Sequence, residues 1–586
     1  MEASGQVANP NLPLLDRSLG ENTIGETTYD LQSNSSTPNR LTKLPDGTLY
    51  GTFTFSKEAS AWTDRGTGFN TFDPPSETWG AYPTARTEDV RTGWPNVVTL
   101  ADGTPVTIAH TADAKLHVSK LVGGAWQYSD VITAAPPGLL WGRMEVGGAD
   151  GNTLHVIAIT LPTGNGGAVY EGCDGHLLYF RSTDGGGSWD IQDLKLPEMD
   201  NTYYSRMDAD SYAIDASGET VAVGLFGDYG DVKIAKSTDN GSTWTTWTVK
   251  DFPIDGYVLD AGYTYDQLPY DPNAPDSLAI QSSDNAGDVL VDNDGGVHLW
   301  YGEMYIMDDA AANSSYYPFT RGLHYWNESM AEDASVYAVE DIIDANGNDT
   351  LDIAAIANIA LYYSSLTSHP SAGIDADGRI YVAFSGVTEN YINTTANPNA
   401  QHNRHVYIIF SEDNGATWSD PFDLISENYL EEFDLIDVYE TMFPAIARYV
   451  DYRADIIYQA DYEPGLSVRG DGDPSGTNYI NHIGLDVADL GIINNTTTVN
   501  PDAFAFKVSP NPASIMTLVN YELASAEPVT IRVANALGQV VKSAKLGVQN
   551  AGKHGYDLNT AAFSDGLYIV TLQAGEKIAS NKLVVR

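Results

Sequence analysis

Cysteine is all but absent from this chain, and basic residues are scarce. Among 586 residues only Cys173 is a cysteine, so no intrachain disulfide framework exists and the fold must hold itself together by burial and hydrogen bonding. Cys173 has none of the local histidine patterns of a thiol enzyme and reads as a small packed residue. Lys and Arg number 30 against 79 Asp and Glu, a formal charge of −49. That balance excludes binding to nucleic acid phosphates by bulk charge and suits a soluble, self-repelling extracellular surface. No apolar run approaches the ~20 residues of a membrane-spanning helix. Residues 1–20 carry neither a basic cluster nor an apolar stretch and do not read as a signal peptide. A Walker loop, a dinucleotide fingerprint, zinc-ligand spacing and a G-x-S-x-G elbow are also missing. Aromatic residues are plentiful, with 35 Tyr and 11 Trp, far too many for a disordered chain.

Three copies of one octapeptide stand out. Ser182–Trp189, Ser237–Trp244 and Ser411–Trp418 all read S-x-D-x-G-x-[ST]-W, and each follows an apolar run: His176–Phe180, Val232–Ala235 and Val406–Phe410. An Asp carboxylate at Asp184, Asp239 and Asp413 suits a turn in which it accepts nearby backbone N–H groups. Gly supplies a backbone angle that other residues resist, and Trp189, Trp244 and Trp418 add apolar bulk. The pattern resembles the Asp-box of the BNR, or sialidase-like, β-propeller family. The resemblance implies a structural role for these turns and says little about activity.

The surrounding stretches repeat as well. Short alternating strands flank D-G or similar turns at Asp46-Gly47, Asp102-Gly103, Asp150-Gly151, Ser217-Gly218, Asp294-Gly295 and Asp377-Gly378, with a last one near Asp451. Seven such units lie between Asn39 and Val487, with insertions near Asp255–Ser282, Asp308–Arg321 and Ala331–Leu366. The expected fold is all-β: a propeller of seven blades over 22–490, after an N-terminal extension 1–21. Six blades remain open if one unit has been split, or if Ile24–Gln32 completes another.

From Gly491 to Asp502 the chain is polar and unpatterned, a linker. Residues 503–586 then alternate as a compact β-sandwich. Ser509-Pro-Asn-Pro512, Asn535-Ala-Leu-Gly-Gln-Val-Val541, Gly566-Leu-Tyr-Ile-Val570 and Lys582-Leu-Val-Val585 resemble the C-terminal sorting domain of type IX secretion cargo in Bacteroidetes. That resemblance implies export across the outer membrane, with the type IX machinery as partner, and anchoring or release at the cell surface.

A sialidase-like propeller implies a specific catalytic set, and its parts are only partly present. Arg40, in Asn39-Arg-Leu-Thr42, keeps the first substrate Arg of that family but loses its Pro. Asp64 stands where the acid/base is expected, although Asp64-Arg-Gly-Thr-Gly-Phe69 also reads as a degenerate Asp-box of the first blade. Tyr439-Glu440 is the available nucleophile pair, with Arg321, Arg404, Arg448 and Arg453 as unordered late arginines. Independently of the resemblance, Arg40, Arg91, Arg143 and Arg206 each sit near the expected innermost strand of successive units. They would either converge on a carboxylate or sulfate, or pair with local acids.

A second motif runs from Asp344 to Asp352. Oxygen donors at Asp344, Asn346, Asn348, Thr350 and Asp352 have the spacing of a Ca²⁺ loop, similar to the dockerin kind and without the Gly and Glu of a complete EF-hand. His369, before Pro370, reads as a packing residue at a blade start. The expected function is non-catalytic binding of a glycan or other extracellular ligand at the channel mouth. The alternatives are a sialidase-like glycoside hydrolase and an adhesion or scaffold element.

Overall fold

The computed structural model describes residues 21–586 except 136–137, 265, 269–270, 310–312, 320–321, 340–351, 394–399, 426–439, 471–474, 491–504, 536–539, 562, 565 and 575–576. The chain divides into two compact units, Met1–Asp486 and Val487–Arg586.

The first unit is a seven-bladed propeller. Each blade is built on four antiparallel strands, and the innermost strands follow one another around a central channel: Leu41–Lys43, Thr92–Thr99, Leu139–Gly147, Tyr212–Ser217, Ile280–Val291, Thr367–Asp375 and Glu440–Ile446. Middle strands are buried on both faces between neighbouring blades, so they read as continuous apolar runs: every residue of Thr153–Thr160 is buried. Outermost strands such as Ala125–Asp130 are largely exposed and polar. The seventh blade takes its fourth strand from the other end of the propeller, where Asn22–Thr27 pairs antiparallel with Asn478–Asp486. Ile24–Thr27 thus completes the seventh blade rather than adding another.

Five innermost strands carry a register shift beside one residue of positive φ: Trp94 (57°), Trp141 (50°), Asn285 (70°), His369 (53°) and Phe443 (57°). These bulges bend each strand where it enters the channel wall. They explain the Trp-Pro, His-Pro and Phe-Pro pairs in the sequence, because a proline following the bulged residue needs no ladder hydrogen bond. His369 is 1 % exposed, lies edge-on to Phe443, and is a packing residue.

The octapeptides join third to fourth strands. In each one the Asp binds the flanking hydroxyls and a backbone N–H. Asp184 Oδ1 accepts Ser182 Oγ and Ser188 N, both at 2.8 Å, while Gly186 N donates to Ser182 Oγ at 2.8 Å. Asp239 and Asp413 repeat the arrangement with Thr243 and Thr417. The tryptophans staple blades together, since Trp244 meets Tyr179 of the preceding blade at 4.9 Å and Trp418 meets Tyr325 at 5.1 Å. Gly241 and Gly415 must lack a side chain, because a Cβ there would stand within 2 Å of those tyrosine hydroxyls. Asp64 is not part of such a turn. It precedes the third strand of blade one, Gly66–Asp73, and the third-to-fourth connection there is Asp73–Trp79, a degenerate octapeptide with one extra residue. An apolar string after a D-R-G motif has the look of a turn followed by Trp, but the Trp that matters is Trp79.

Inside the channel, acids on one innermost strand accept backbone N–H groups from the next blade: Asp215 Oδ2 from Val291 (2.6 Å) and Asp288 Oδ2 from Ala372 (2.7 Å). Arg448 Nε meets both oxygens of Asp215 at 2.8 and 3.0 Å. Glu145 lies beside them, at a cavity of about 360 Å³ that opens at the turn end of the channel and is also lined by Asn39, Lys43 and Tyr449. Burial, reinforced by the charge on Asp215, pushes the Glu145 carboxyl up to about 8, and burial pushes Asp288 to about 8.

The second unit is a sandwich of a three-stranded sheet (Lys507–Ser509, Met516–Leu523, Gly552–Asn559) and a four-stranded sheet ordered Val540–Gln549, Glu527–Asn535, Gly566–Ala574, Lys577–Val585. Val519, Val533, Leu558, Val570, Leu572 and Leu583 are fully buried between them.

Deleting Asn22–Thr27 strips the outer edge of blade seven, and Phe53, packed against Gly25 and Gly68, loses one wall. The full-length deletion variant should melt without cooperativity and aggregate, whereas an unchanged thermal midpoint would show that the ring does not need this strand. Glu145 and Asp288 have raised folded-state pKa values, so the stability they contribute is complete below their ordinary values of 4.5 and 3.8 and is lost as pH rises towards about 8. Each such group costs up to about 1.4 kcal/mol per pH unit in that window. Asp288→Asn, which keeps an acceptor for Ala372, should flatten the decline of thermal midpoint between pH 5 and 8, and an unaltered slope would refute the assignment.

Candidate functional site

Chain direction gives the two ends of the channel different characters. First-to-second turns and octapeptides all lie at one end. Second-to-third loops and blade-to-blade connections lie at the other, and these include the described parts of the long insertions, 251–264, 271–279, 313–319 and 352–366 among them. Loops held on a rigid scaffold are where binding residues concentrate, so the loop face is the candidate functional surface.

A strap crosses the channel mouth on this face. Leaving blade seven after Thr27, residues 28–38 run to blade one, and Tyr29, Gln32, Ser33 and Ser36 are 4 % exposed or less. Ser36 N donates to Asp210 O before blade four (2.9 Å), Gly287 N of blade five donates to Ser36 Oγ (3.0 Å), and Asn34 N donates to Asp210 Oδ2 (2.9 Å). Its Ser- and Asn-rich sequence fits this role, because short hydroxyl and amide side chains can satisfy a channel lined with backbone groups.

Arginines surround the strap. Arg40 and Arg91 immediately precede the innermost strands of blades one and two, Arg143 lies within that of blade three and Arg206 in the connection before blade four, and they are held differently. Arg40, 3 % exposed, donates from Nη1 to Gln32 Oε1 (2.6 Å) and from Nη2 to Gln32 O; burial and the neighbouring Arg143 lower it to about 9. Arg143 pairs with Asp210 at 2.6 Å and donates to Ser36 O at 3.1 Å. Arg206 bridges Asp208 (3.1 Å) and Asp228 (2.6 Å). Arg91 donates to Trp62 O at 2.9 Å.

Two further arginines, not singled out from sequence, complete the group. The Arg65 guanidinium lies between the rings of Tyr29 (4.8 Å) and Trp94 (4.6 Å) and donates to Thr92 O. Arg469 lies over Tyr363 at 4.8 Å and donates to Asn34 O at 3.2 Å; burial holds its pKa below the ordinary value. Among the described residues, Arg65, Arg91 and Arg469 form no ion pair with a carboxylate. Tyr363 is 43 % exposed and edge-on to Tyr316 at 5.8 Å, and Tyr82, Phe319 and Tyr462 also show open rings on this face. Sequence alone could not find Arg469, because it ends a short 3-10 turn, Ser467–Arg469, inside a connecting loop without a motif.

One carboxyl in the group is set apart. Asp208 is hydrogen-bonded to Asp228, and both face Arg206; burial first, then the charge on Asp228, push Asp208 up to about 7 despite the guanidinium. Tyr316 beside them is pushed up to about 12 by burial.

The described residues of the hydrolase reading are each held by partners of their own. Asp64, half-buried on the loop face, accepts from Ser56 Oγ and from Lys57 N at 2.8 Å. Glu440, 2 % exposed at the start of the blade-seven innermost strand, accepts Arg404 N at 2.5 Å, and Tyr439 lies outside the described residues. Arg404 is buried over the Tyr362 ring, whose hydroxyl is latched to Gly465 at 3.1 Å. No described contact joins Arg40 or Asp64 to Glu440. Arg448 and Arg453 are paired with Asp215 and Asp455. In the expected calcium loop, Asp344, Asn346, Asn348 and Thr350 also lie outside the described residues. Asp352 N donates to Glu389 Oε1 at 2.8 Å. Cys173 is buried, donates Sγ–H to Tyr204 O at 3.0 Å, and has its thiol pushed up to about 12 by burial.

Among solved structures, the chain is similar to a polysaccharide lyase (10 % identity, 78 % of this chain and 93 % of that one, TM-score 0.39) and to a GH74 xyloglucanase from Xanthomonas campestris (11 %, 96 % and 69 %, TM-score 0.35). It is also similar to a copper-bound fungal alcohol oxidase of the AA5 family (10 %, 97 % and 98 %, TM-score 0.38). At these scores none of them bears on activity, and the propeller assignment stands on the strand topology. No curated protein matches the chain. Residues 507–586 match the secretion system C-terminal sorting domain family, and no helix among the described residues is long and apolar enough to cross a membrane. The protein is therefore type IX secretion cargo, exported to the cell surface or beyond it.

Proposed function

We propose that the exported propeller is a non-catalytic receptor for an anionic extracellular ligand, foremost a glycan carrying carboxylate or sulfate groups, held on the loop face beside the strap. The observation that carries this reading is the set Arg65, Arg91 and Arg469, three guanidiniums without carboxylate partners among the described residues, gathered around Tyr29 of the strap in a chain of charge −49. A chain so rich in acids would readily neutralise a guanidinium needed only for packing. Planar, weakly hydrated guanidinium groups suit carboxylate and sulfate, and the open rings of Tyr363 and Tyr462 offer apolar faces for sugar rings.

A second reading is favoured by Asp208. A carboxyl that holds its proton near neutral pH, beside a second carboxyl and a guanidinium, has the property required of a general acid. On that reading the ligand is a substrate. Arg40, Asp64, Tyr439 and Glu440, the set implied by sialidase resemblance, would then be tested beside Asp208.

Both readings meet in one experiment. Full-length protein is offered a polyuronate, a sulfated galactan and a neutral glucan, with retention and new reducing ends measured together. Receptor function predicts retention of the two anionic polymers, no new ends, and about tenfold weaker binding in Arg469→Ala, the loss of ~1.4 kcal/mol. Equal retention of the neutral glucan, or full binding by Arg469→Ala, would refute it. New reducing ends that vanish in Asp208→Asn and decline above pH 7 would establish the hydrolase instead.

A further inference from the structure

The C-terminal sandwich turns an unusual face outward. Along Met516–Leu523 the inward side chains Thr517, Val519, Tyr521 and Leu523 are buried at 3 % exposure or less, as a sandwich requires. The outward partners begin with Met516, 53 % exposed, and Leu518, 36 %, next to Ile515 at 67 %. Solvent-facing positions of an antiparallel sheet are ordinarily polar. Nothing on the adjacent strand covers these side chains: Leu518 stands opposite Asp557, and its neighbour Gly555 has no side chain to lay across it.

Charge sets the same domain apart. Residues 507–586 hold eight basic and five acidic residues, a balance of +3, which leaves −52 for the rest of the chain. On the outward face itself Lys507 and Lys553 offset Glu522 and Asp557, so the centre of the face is apolar and the excess cations belong to the domain as a whole.

We propose that the Met516–Leu518 face, with the exposed Ile515 just before it in the chain, is the docking surface through which the export machinery reads this sorting domain, and that the receiving surface is apolar and belongs to an acidic receptor. The family match assigns these residues to sorting, a task that needs a recognition surface and no catalytic site. An apolar centre supplies short-range contact, while a cationic domain on an otherwise acidic chain supplies orientation. An acidic receptor attracts this end of the molecule and repels the remainder, so the cargo approaches domain first.

The test is export of the full chain by a bacterium with a type IX system, comparing wild type, Met516→Ser/Leu518→Ser and Leu567→Ser. Leu567 is 43 % exposed on the four-stranded sheet and controls for a general loss of surface apolarity. Docking through the proposed face predicts about tenfold less exported protein for the double variant, the scale of one contact worth ~1.4 kcal/mol, and wild-type export for Leu567→Ser. Leu518→Thr, which keeps a good strand former, replaces the double variant if the latter loses its thermal transition. Undiminished export by either face variant would overturn the proposal, as would an equal loss in Leu567→Ser. It would be overturned equally if purified full-length protein were a dimer that Met516→Ser/Leu518→Ser dissociates, since the face would then belong to a second copy.

Discussion

One pairing between the chain's early and late strands governs the propeller. Asn22–Thr27 closes the sheet begun by Glu440–Ile446, and without it the seventh blade offers an open edge and the ring has no lock. Closure removes the free edges that make sheet proteins prone to association. It also sets where the next segment begins: after Thr27 the chain leaves the rim of blade seven and, on its way to blade one, passes over the channel mouth as the strap. Its carbonyls and hydroxyls then become partners for Arg40, Arg143 and Gly287.

The two ends of the channel have separated tasks. At the turn end, Asp carboxylates tie down their own turns, and hydrogen bonds from Ser188, Ser182 and their counterparts hold Asp184 and Asp239 at about 2 even though burial opposes this at Asp184. Those acids remain charged throughout the ordinary pH range. On the loop face, around the strap, Arg40, Arg65, Arg91, Arg143, Arg206 and Arg469 gather, with Asp210, Asp208 and Asp228 as ion-pair partners of Arg143 and Arg206 only. Around these arginines short-range geometry outweighs net charge, because a Debye length of about 8 Å screens most of the distant acids in physiological salt.

Much of the fold was legible in the sequence because it rests on short-range rules. The octapeptides fixed three turns through Asp, Gly and Trp, and the D-G pairs fixed first-to-second hairpins. The S-P-N-P, N-A-L-G-Q-V-V and G-L-Y-I-V strings identified the sorting domain. Arg40, Arg91, Arg143 and Arg206 could be set near innermost strands because strand position is periodic. Their partners could not, since the choice between a ligand and Asp210 or Gln32 is made by a strap that belongs to no repeat. Arg65 was hidden inside a string that resembled a turn, and Arg469 and Tyr363 lie in loops whose course is set by tertiary contacts alone.

The locking strand also sets the order in which this molecule becomes itself. Thr23 and Asn481, joined by a side-chain hydrogen bond, are separated by 458 positions. The ring cannot close until Asn478–Asp486 is available to Asn22–Thr27, and six finished blades still amount to an open arc with two adhesive ends. Contacts of such long range are slow to form, so each molecule passes through a period in which self-association competes with closure. The dense negative charge acts during that interval by keeping one open arc from another long enough for each to find its own end.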